Sequence, residues 1–277
     1  MTELTHHQLT DFLAPLKRIG LKHGALERAA RLGWVARGVL YLILGALATL
    51  AAVGEGGGLH DGAGVVRWIM DLPAGVLLVG AAAIGFAGYA LYGIALLCFG
   101  DRSAHGFAAF MVRGKGAVAC VVYGSLALTS VQLLMGHASS GGKSIWIASM
   151  LRQPWGQVVL GLAGVATIAF GLYQAYFGLK GKHRDEVNGQ AMNEAERRSF
   201  LWIGRLGLTA RGIVLGMIGY FVVRTAIESS PSSSDTAAAL REMRHFGVAP
   251  LVTVAVGLAA YGILQFFYAK YRRVQLG

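Results

Sequence analysis

The sequence predicts an all-α membrane protein: six transmembrane helices arranged as three parallel two-helix hairpin repeats in a pseudo-threefold bundle. Composition, six apolar runs of spanning length and a recurring motif predict it. Of 277 residues, 55% are hydrophobic and only 14% charged, against about 25% charged in an average soluble domain. The mean hydropathy is +0.54, so lipid is the solvent that suits this chain. The 40 glycines show no Gly-X-Y period and lie inside apolar runs. There, small residues let membrane helices approach closely.

The apolar runs cover residues 33–53, 74–99, 116–135, 156–179, 208–227 and 248–268, each about the 20 residues that a hydrocarbon core requires. The second and fourth follow Pro73 and Pro154, whose fixed φ suits a first helical turn. Between the two runs of each pair, residues 65–72, 144–151 and 236–246 predict short helices, with Trp68 and Trp146 suited to the headgroup layer. Residues 1–29 form an N-terminal arm in which Leu9, Phe12, Leu13, Leu16 and Ile19 recur at helical spacing beside Lys17, Arg18 and Lys22. This arm is expected either to lie on the inner membrane surface or to be a solvated tail. It has no uninterrupted apolar core of signal-peptide type, so the first span is expected to be retained.

Basic residues accumulate in cytoplasmic connections. The arm through Arg37, the second and fourth connections and the C-terminal tail hold 19 of the 25 Lys and Arg, which predicts that both termini are cytoplasmic. The formal charge of +11 therefore reads as a membrane-surface signal. The basic residues flank apolar runs and form no groove with interleaved aromatics, so nucleic acid is not an expected partner. Membrane lipids are, and a membrane-protein partner or a second copy of the chain is a further candidate.

The repeats span residues 30–100, 107–180 and 200–272. Arg31-Leu32-Gly33, Ala36-Arg37-Gly38 and Gly45 recur 174 positions later as Arg205-Leu206-Gly207, Ala210-Arg211-Gly212 and Gly219. The second copy is weaker: Gly116 aligns with Arg37, and the pair Arg113-Gly114 lies three residues early. The first and third repeats are therefore expected to resemble each other most. The second helices share a small-residue pattern ending in Tyr89, Tyr173 and Tyr261.

Ala30-Arg31-Leu32-Gly33-Trp34-Val35-Ala36-Arg37-Gly38-Val39-Leu40-Tyr41 resembles the repeat of a bacterial family, the domain-of-unknown-function family numbered 1206. The similarity covers nearly all of the chain after about Glu27. It implies a multi-spanning protein of the bacterial inner membrane and carries no activity with it.

Ionisable residues inside spans are the first functional candidates, and only basic ones occur. Arg37 and Arg211, about one turn into their spans, and Arg113, one turn nearer the cytoplasm, are candidates to bind an anion or a lipid head group. The alternative is that Arg37 and Arg211 snorkel to the interface as anchors. Tyr89, Tyr173 and Tyr261 are candidates for an axial ring of hydroxyls, or for ordinary interhelical hydrogen bonds. His60, His137 and His245 fall one per outer loop but without matching positions or further ligands, and Cys98 and Cys120 form no ligand pair. No metal, cofactor or catalytic residue is expected. The expected role is a structural or interaction component, for which glycine faces such as Gly75, Gly80, Gly85 and Gly88 offer packing surfaces. The alternative is a carrier or channel for a small anion or lipid head group. A membrane enzyme is a third possibility that no motif proposes.

Overall fold

The computed structural model describes residues 23–54, 58–100, 106–137, 153–228, 236–245 and 247–272. Eight α-helices occur among them: α1 (His23–Val53), α2 (Gly62–Met70), α3 (Gly75–Phe99), α4 (Phe107–Leu134), α5 (Pro154–Leu179), α6 (Glu194–Glu228), α7 (Thr236–His245) and α8 (Val248–Tyr271). Six of these, α1, α3, α4, α5, α6 and α8, are long and apolar enough to cross a membrane. Most of their surface-facing Leu, Val and Ile are exposed, as at Leu77, Val121, Leu172 and Ile227. That apolar exterior is what lipid solvation permits and water does not.

The short helices α2 and α7 occupy two of the three places where the sequence predicts them. Asp61 caps α2, its Oδ1 accepting from the Gly64 N–H at 2.8 Å, which satisfies one of the four orphan donors of the first turn. α2 buries Ala63, Val65, Val66 and Ile69 against α1, α3 and α4, and α7 buries residues 237–240 against α6 and α8. The third predicted short helix, residues 144–151, and the N-terminal arm through residue 22 lie outside the described residues.

Among the long helices, the packed interfaces run in the order α4, α3, α1, α8, α6, α5. Each has a glycine at its closest point. Gly33 of α1 lies on the α3 backbone, where an added Cβ would come within 2.8 Å of Tyr89 Cα, and Gly207 of α6 repeats this on α8 at 2.6 Å from Tyr261 Cα. Gly38 and Gly45 bring α1 onto α8, Gly93 and Gly116 join α3 to α4, and the heptad-spaced Gly164, Gly171 and Gly178 of α5 lie on α6. Among the described residues no comparable interface joins α4 to α5, and a Cβ added at Gly114 or Gly124 of α4 would meet nothing within 4 Å. The two helices of the second repeat thus flank a gap, while the corresponding pairs α1/α3 and α6/α8 are packed.

The two ends of the described chain meet on one side. The Arg31 guanidinium donates to the carbonyl of Ala269, and Arg272 lies over the Trp34 ring at 5.5 Å. The connection between α5 and α6 folds onto the same end through 3₁₀ turns at Lys182–Glu186 and Gly189–Ala191. Val187 pairs with Arg272 in an antiparallel bridge, and the Asn188 N–H donates to the Tyr271 carbonyl at 3.1 Å. Asn193 and Glu196 then open α6 with reciprocal bonds of 2.8 and 3.1 Å, a capping box in form.

Candidate functional site

Residues of all six long helices line one cavity, which has about 120 Å³ of free space. That is room for several waters or a group the size of phosphate. Arg37 comes from α1, Tyr89 from α3, Lys115, Val118 and Tyr123 from α4, Tyr173, Gln174 and Phe177 from α5, Arg211 from α6, and Tyr261 and Gln265 from α8; Glu186 and Arg272 complete it at the end where the termini meet.

Arg37 is the innermost cation. It is 7% exposed and stands near the middle of α1. Its Nη1 donates to the Tyr89 hydroxyl at 2.6 Å, and its Nη2 donates to the Tyr261 hydroxyl. The guanidinium lies 5.1–5.2 Å from the ring centres of Tyr89, Tyr123 and Tyr261. Arg211 approaches the same place from α6, donating from Nη1 to Gln174 Oε1 at 2.7 Å and from Nε to the Tyr41 hydroxyl at 3.3 Å. It lies 4.9 Å from the centre of the Tyr261 ring, so both cations share one aromatic ring. Each cation–π contact contributes roughly 0.5–2 kcal/mol. Aromatic rings lower the cost of burying the cations but leave the net charge unchanged.

These positions correct the sequence expectation in three respects. Arg37 and Arg211 reach side chains of neighbouring helices, Arg37 the hydroxyls of Tyr89 and Tyr261 and Arg211 the Tyr41 hydroxyl and Gln174 Oε1. Their helices begin well before the apolar runs, at His23 and Glu194, so both residues sit mid-helix and turn inward. Arg113 is exposed and does not line the cavity. Two residues along a helix is about 200° of rotation, and the inward-facing basic residue of α4 is Lys115, whose Nζ lies 5.8 and 5.6 Å from the ring centres of Tyr173 and Phe177 across the gap. Tyr89 and Tyr261 do converge, whereas Tyr173, 41% exposed, stays at the rim. Tyr41 and Tyr123 join Tyr89 and Tyr261 instead, with the Tyr41–Tyr261 and Tyr89–Tyr123 ring centres 4.8 and 4.7 Å apart. Tyr41, which closes the repeat motif, lies four residues after Arg37 on the same helical face.

At the end where the termini meet, Glu186 lies between Lys115 at 3.8 Å and Arg272 at 3.7 Å. Burial alone would raise its carboxyl; Arg272 and Lys115 together outweigh that and hold it below the ordinary carboxylate value. Next to it His183 is fully buried, packed on the Phe200 ring at 5.0 Å in the space that Gly204 leaves free. Burial pushes its imidazole below the ordinary value, against the pull of its contact with the Phe200 carbonyl at 3.3 Å. Among the described residues no cluster of His, Cys, Asp and Glu could hold a metal ion.

The family model for Domain of Unknown Function (DUF1206) matches the chain three times, over residues 32–96, 115–181 and 206–272. The uncharacterized protein YxxB of Bacillus subtilis (strain 168) is 29% identical over 255 residues, covering 90% of this chain and 92% of that protein. No solved structure matches. With three matched segments that include Arg37, Arg211 and the cavity-lining tyrosines, the chain belongs to the DUF1206 family.

Proposed function

We propose that this protein binds and carries an anionic group, a phosphate or carboxylate, in the cavity where Arg37 and Arg211 meet. The charge imbalance of that cavity supports this most. Arg37, Arg211, Lys115 and Arg272 line it against one carboxylate, Glu186, which is already paired with Lys115 and Arg272. A cation at the centre of a membrane helix costs about 2.5–3.5 kcal/mol, and here two share one ring with no carboxylate between them. An anion would offset that cost and would meet guanidinium forks suited to phosphate or carboxylate oxygens. A purely structural role draws less support, because Gly85 and Gly88 are used within the chain against Ala36 and Ala29 of α1.

The protein sits in the bacterial inner membrane with both termini cytoplasmic, in keeping with the basic excess on the side where the chain ends meet. First and second helices of the repeats alternate along the packed order, as three parallel hairpins about a pseudo-threefold axis would have them. The role is binding and transfer, not catalysis. The test is thermal unfolding of the detergent-solubilised protein in the presence of inorganic phosphate, glycerol phosphate, phosphatidylglycerol or phosphatidylcholine. Anionic ligands should raise the melting temperature in the native chain and not in an Arg37→Gln, Arg211→Gln variant. An equal response to phosphatidylcholine, or none to any anion, would contradict the proposal.

A further inference from the structure

We infer that the ligand is an anionic phospholipid that enters sideways from the bilayer between α4 and α5, its head group reaching Arg37 and Arg211 while its acyl chains stay in the gap. This rests on the anion-binding proposal and adds where the anion comes from.

The gap between α4 and α5 is the place where the ring of long helices lacks an interface, and the cavity reaches it. Val118 and Tyr173 line the cavity yet are 50% and 41% exposed. The outer edges of the gap are apolar, with Val121 on α4 and Leu172 on α5 exposed. An apolar lateral entrance is accessible to an acyl chain and costly for a hydrated ion. Lys115 lines the cavity on the α4 side of this gap, where a lysine can meet a lipid phosphate.

At the other end the connection between α5 and α6 lines the cavity. Glu186 holds Lys115 and Arg272, and the Val187 bridge to Arg272 fixes that segment across the base of the cavity. Inside, Arg37 keeps a spare donor, because its Nε is buried without a hydrogen-bond partner. An unmet buried donor is costly, and a phosphate oxygen would meet it. Lys115 is the first cation a head group encounters, and it can exchange Glu186 for lipid phosphate without being left unpaired.

The experiment places p-benzoylphenylalanine at Val118 in the full-length protein, with a control at Leu77, an exposed residue of α3. Both are reconstituted in phosphatidylcholine vesicles with a minor fraction of phosphatidylglycerol, illuminated, and the lipid adducts weighed by mass spectrometry. At Val118 phosphatidylglycerol should exceed its bilayer share about tenfold, the ratio that corresponds to about 1.4 kcal/mol of preference. At Leu77 the adducts should follow bulk composition. The enrichment should vanish when Arg37→Gln and Arg211→Gln are added. If Val118 reports bulk composition while inorganic phosphate or glycerol phosphate still stabilises the protein, lateral lipid entry is wrong and a soluble anion is the ligand. If no anion, soluble or lipid, binds, both proposals fall.

Discussion

The first and third hairpins of this protein are closed and the second is open, although all three match the same family model. In the closed pairs a glycine of the first helix meets the tyrosine position of the second, Gly33 at Tyr89 and Gly207 at Tyr261. A second glycine answers from the partner helix, Gly85 at Ala36 and Gly257 at Ala210. α4 and α5 also carry glycines but direct them elsewhere: Gly116 to α3, and Gly164, Gly171 and Gly178 to α6. Toward each other they present Lys115, Tyr173 and Phe177. In a bilayer, where apolar burial drives helix association little, close backbone approach decides which helices pack. Moving the glycines to the outer faces therefore leaves a gap on the inner one.

The largest effect should come from filling a closed interface. Gly171→Leu places side-chain carbons where even a Cβ would lie 2.6 Å from the Gly212 carbonyl oxygen and 2.8 Å from the Gly216 nitrogen. Backbone cannot yield as a side chain does, so a loss at or above the roughly 1–3 kcal/mol of overpacking is expected, seen as a lower melting temperature and loss of monodispersity. Gly124→Ala in α4 adds a Cβ that meets nothing within 4 Å and should change stability by no more than about 0.5–1 kcal/mol, in the stabilising direction if at all. Equal damage from both would remove the distinction between packed and open faces.

A smaller, pH-dependent effect belongs to the connection between α5 and α6. The His183 imidazole is held below its ordinary value in the folded protein, so the unfolded chain takes up its proton first. The stability this contributes is complete above about pH 6.5 and declines as pH falls below it, by up to about 1.4 kcal/mol per unit. Glu186, also held low, adds a second loss in the same direction below about pH 4.3. Unfolding of the native chain and of His183→Gln, followed from pH 7.5 to 5, should diverge: the native curve slopes and the variant is nearly flat. Parallel curves would show that His183 is not buried in neutral form.

The smallest effect is expected at the gap itself. Lys115→Met removes two cation–π contacts and an ion pair of 3.8 Å whose partners are partly exposed. With each contact at the exposed-site end of its range, it should cost about 1 kcal/mol. A loss comparable to that of Gly171→Leu would mean that Lys115 holds α4 and α5 together as a structural joint.

Much of this architecture is legible in the sequence, because lipid solvation leaves long uncharged runs and helix contact leaves small residues at fixed spacing. The six spans, α2 and α7, and the match between Gly33-Arg37 and Gly207-Arg211 all follow from such signals. The depth of the arginines does not. α1 and α6 extend outward through charged residues such as Glu27, Arg28, Arg197 and Arg198, and a hydropathy boundary drawn at the first apolar residue misses those turns. Lys115 and Arg113 differ only by helical phase, which nothing in the second repeat's weak motif determines. His183 and Glu186 lie in a charged run whose composition suits a docking segment, and only folding against Phe200, Gly204 and Arg272 makes them a buried imidazole and a half-buried carboxylate. The heptad of Gly164, Gly171 and Gly178 is visible as spacing, but which neighbour it faces is a tertiary fact.

The open second hairpin is tested most directly by distances in a membrane. Spin labels at Val121 and Leu172 report across α4 and α5, and labels at Leu172 and Tyr220 report across the glycine-packed pair α5 and α6. All three positions are exposed, and Cys98 and Cys120 are first replaced by Ser and Ala. In liposomes, pulsed electron double resonance should give a narrow distribution for the α5–α6 pair. The α4–α5 pair should be broader and should narrow when phosphatidylglycerol is added to phosphatidylcholine. Equally narrow distributions for both pairs, unchanged by anionic lipid, would show the second hairpin to be as closed as the other two.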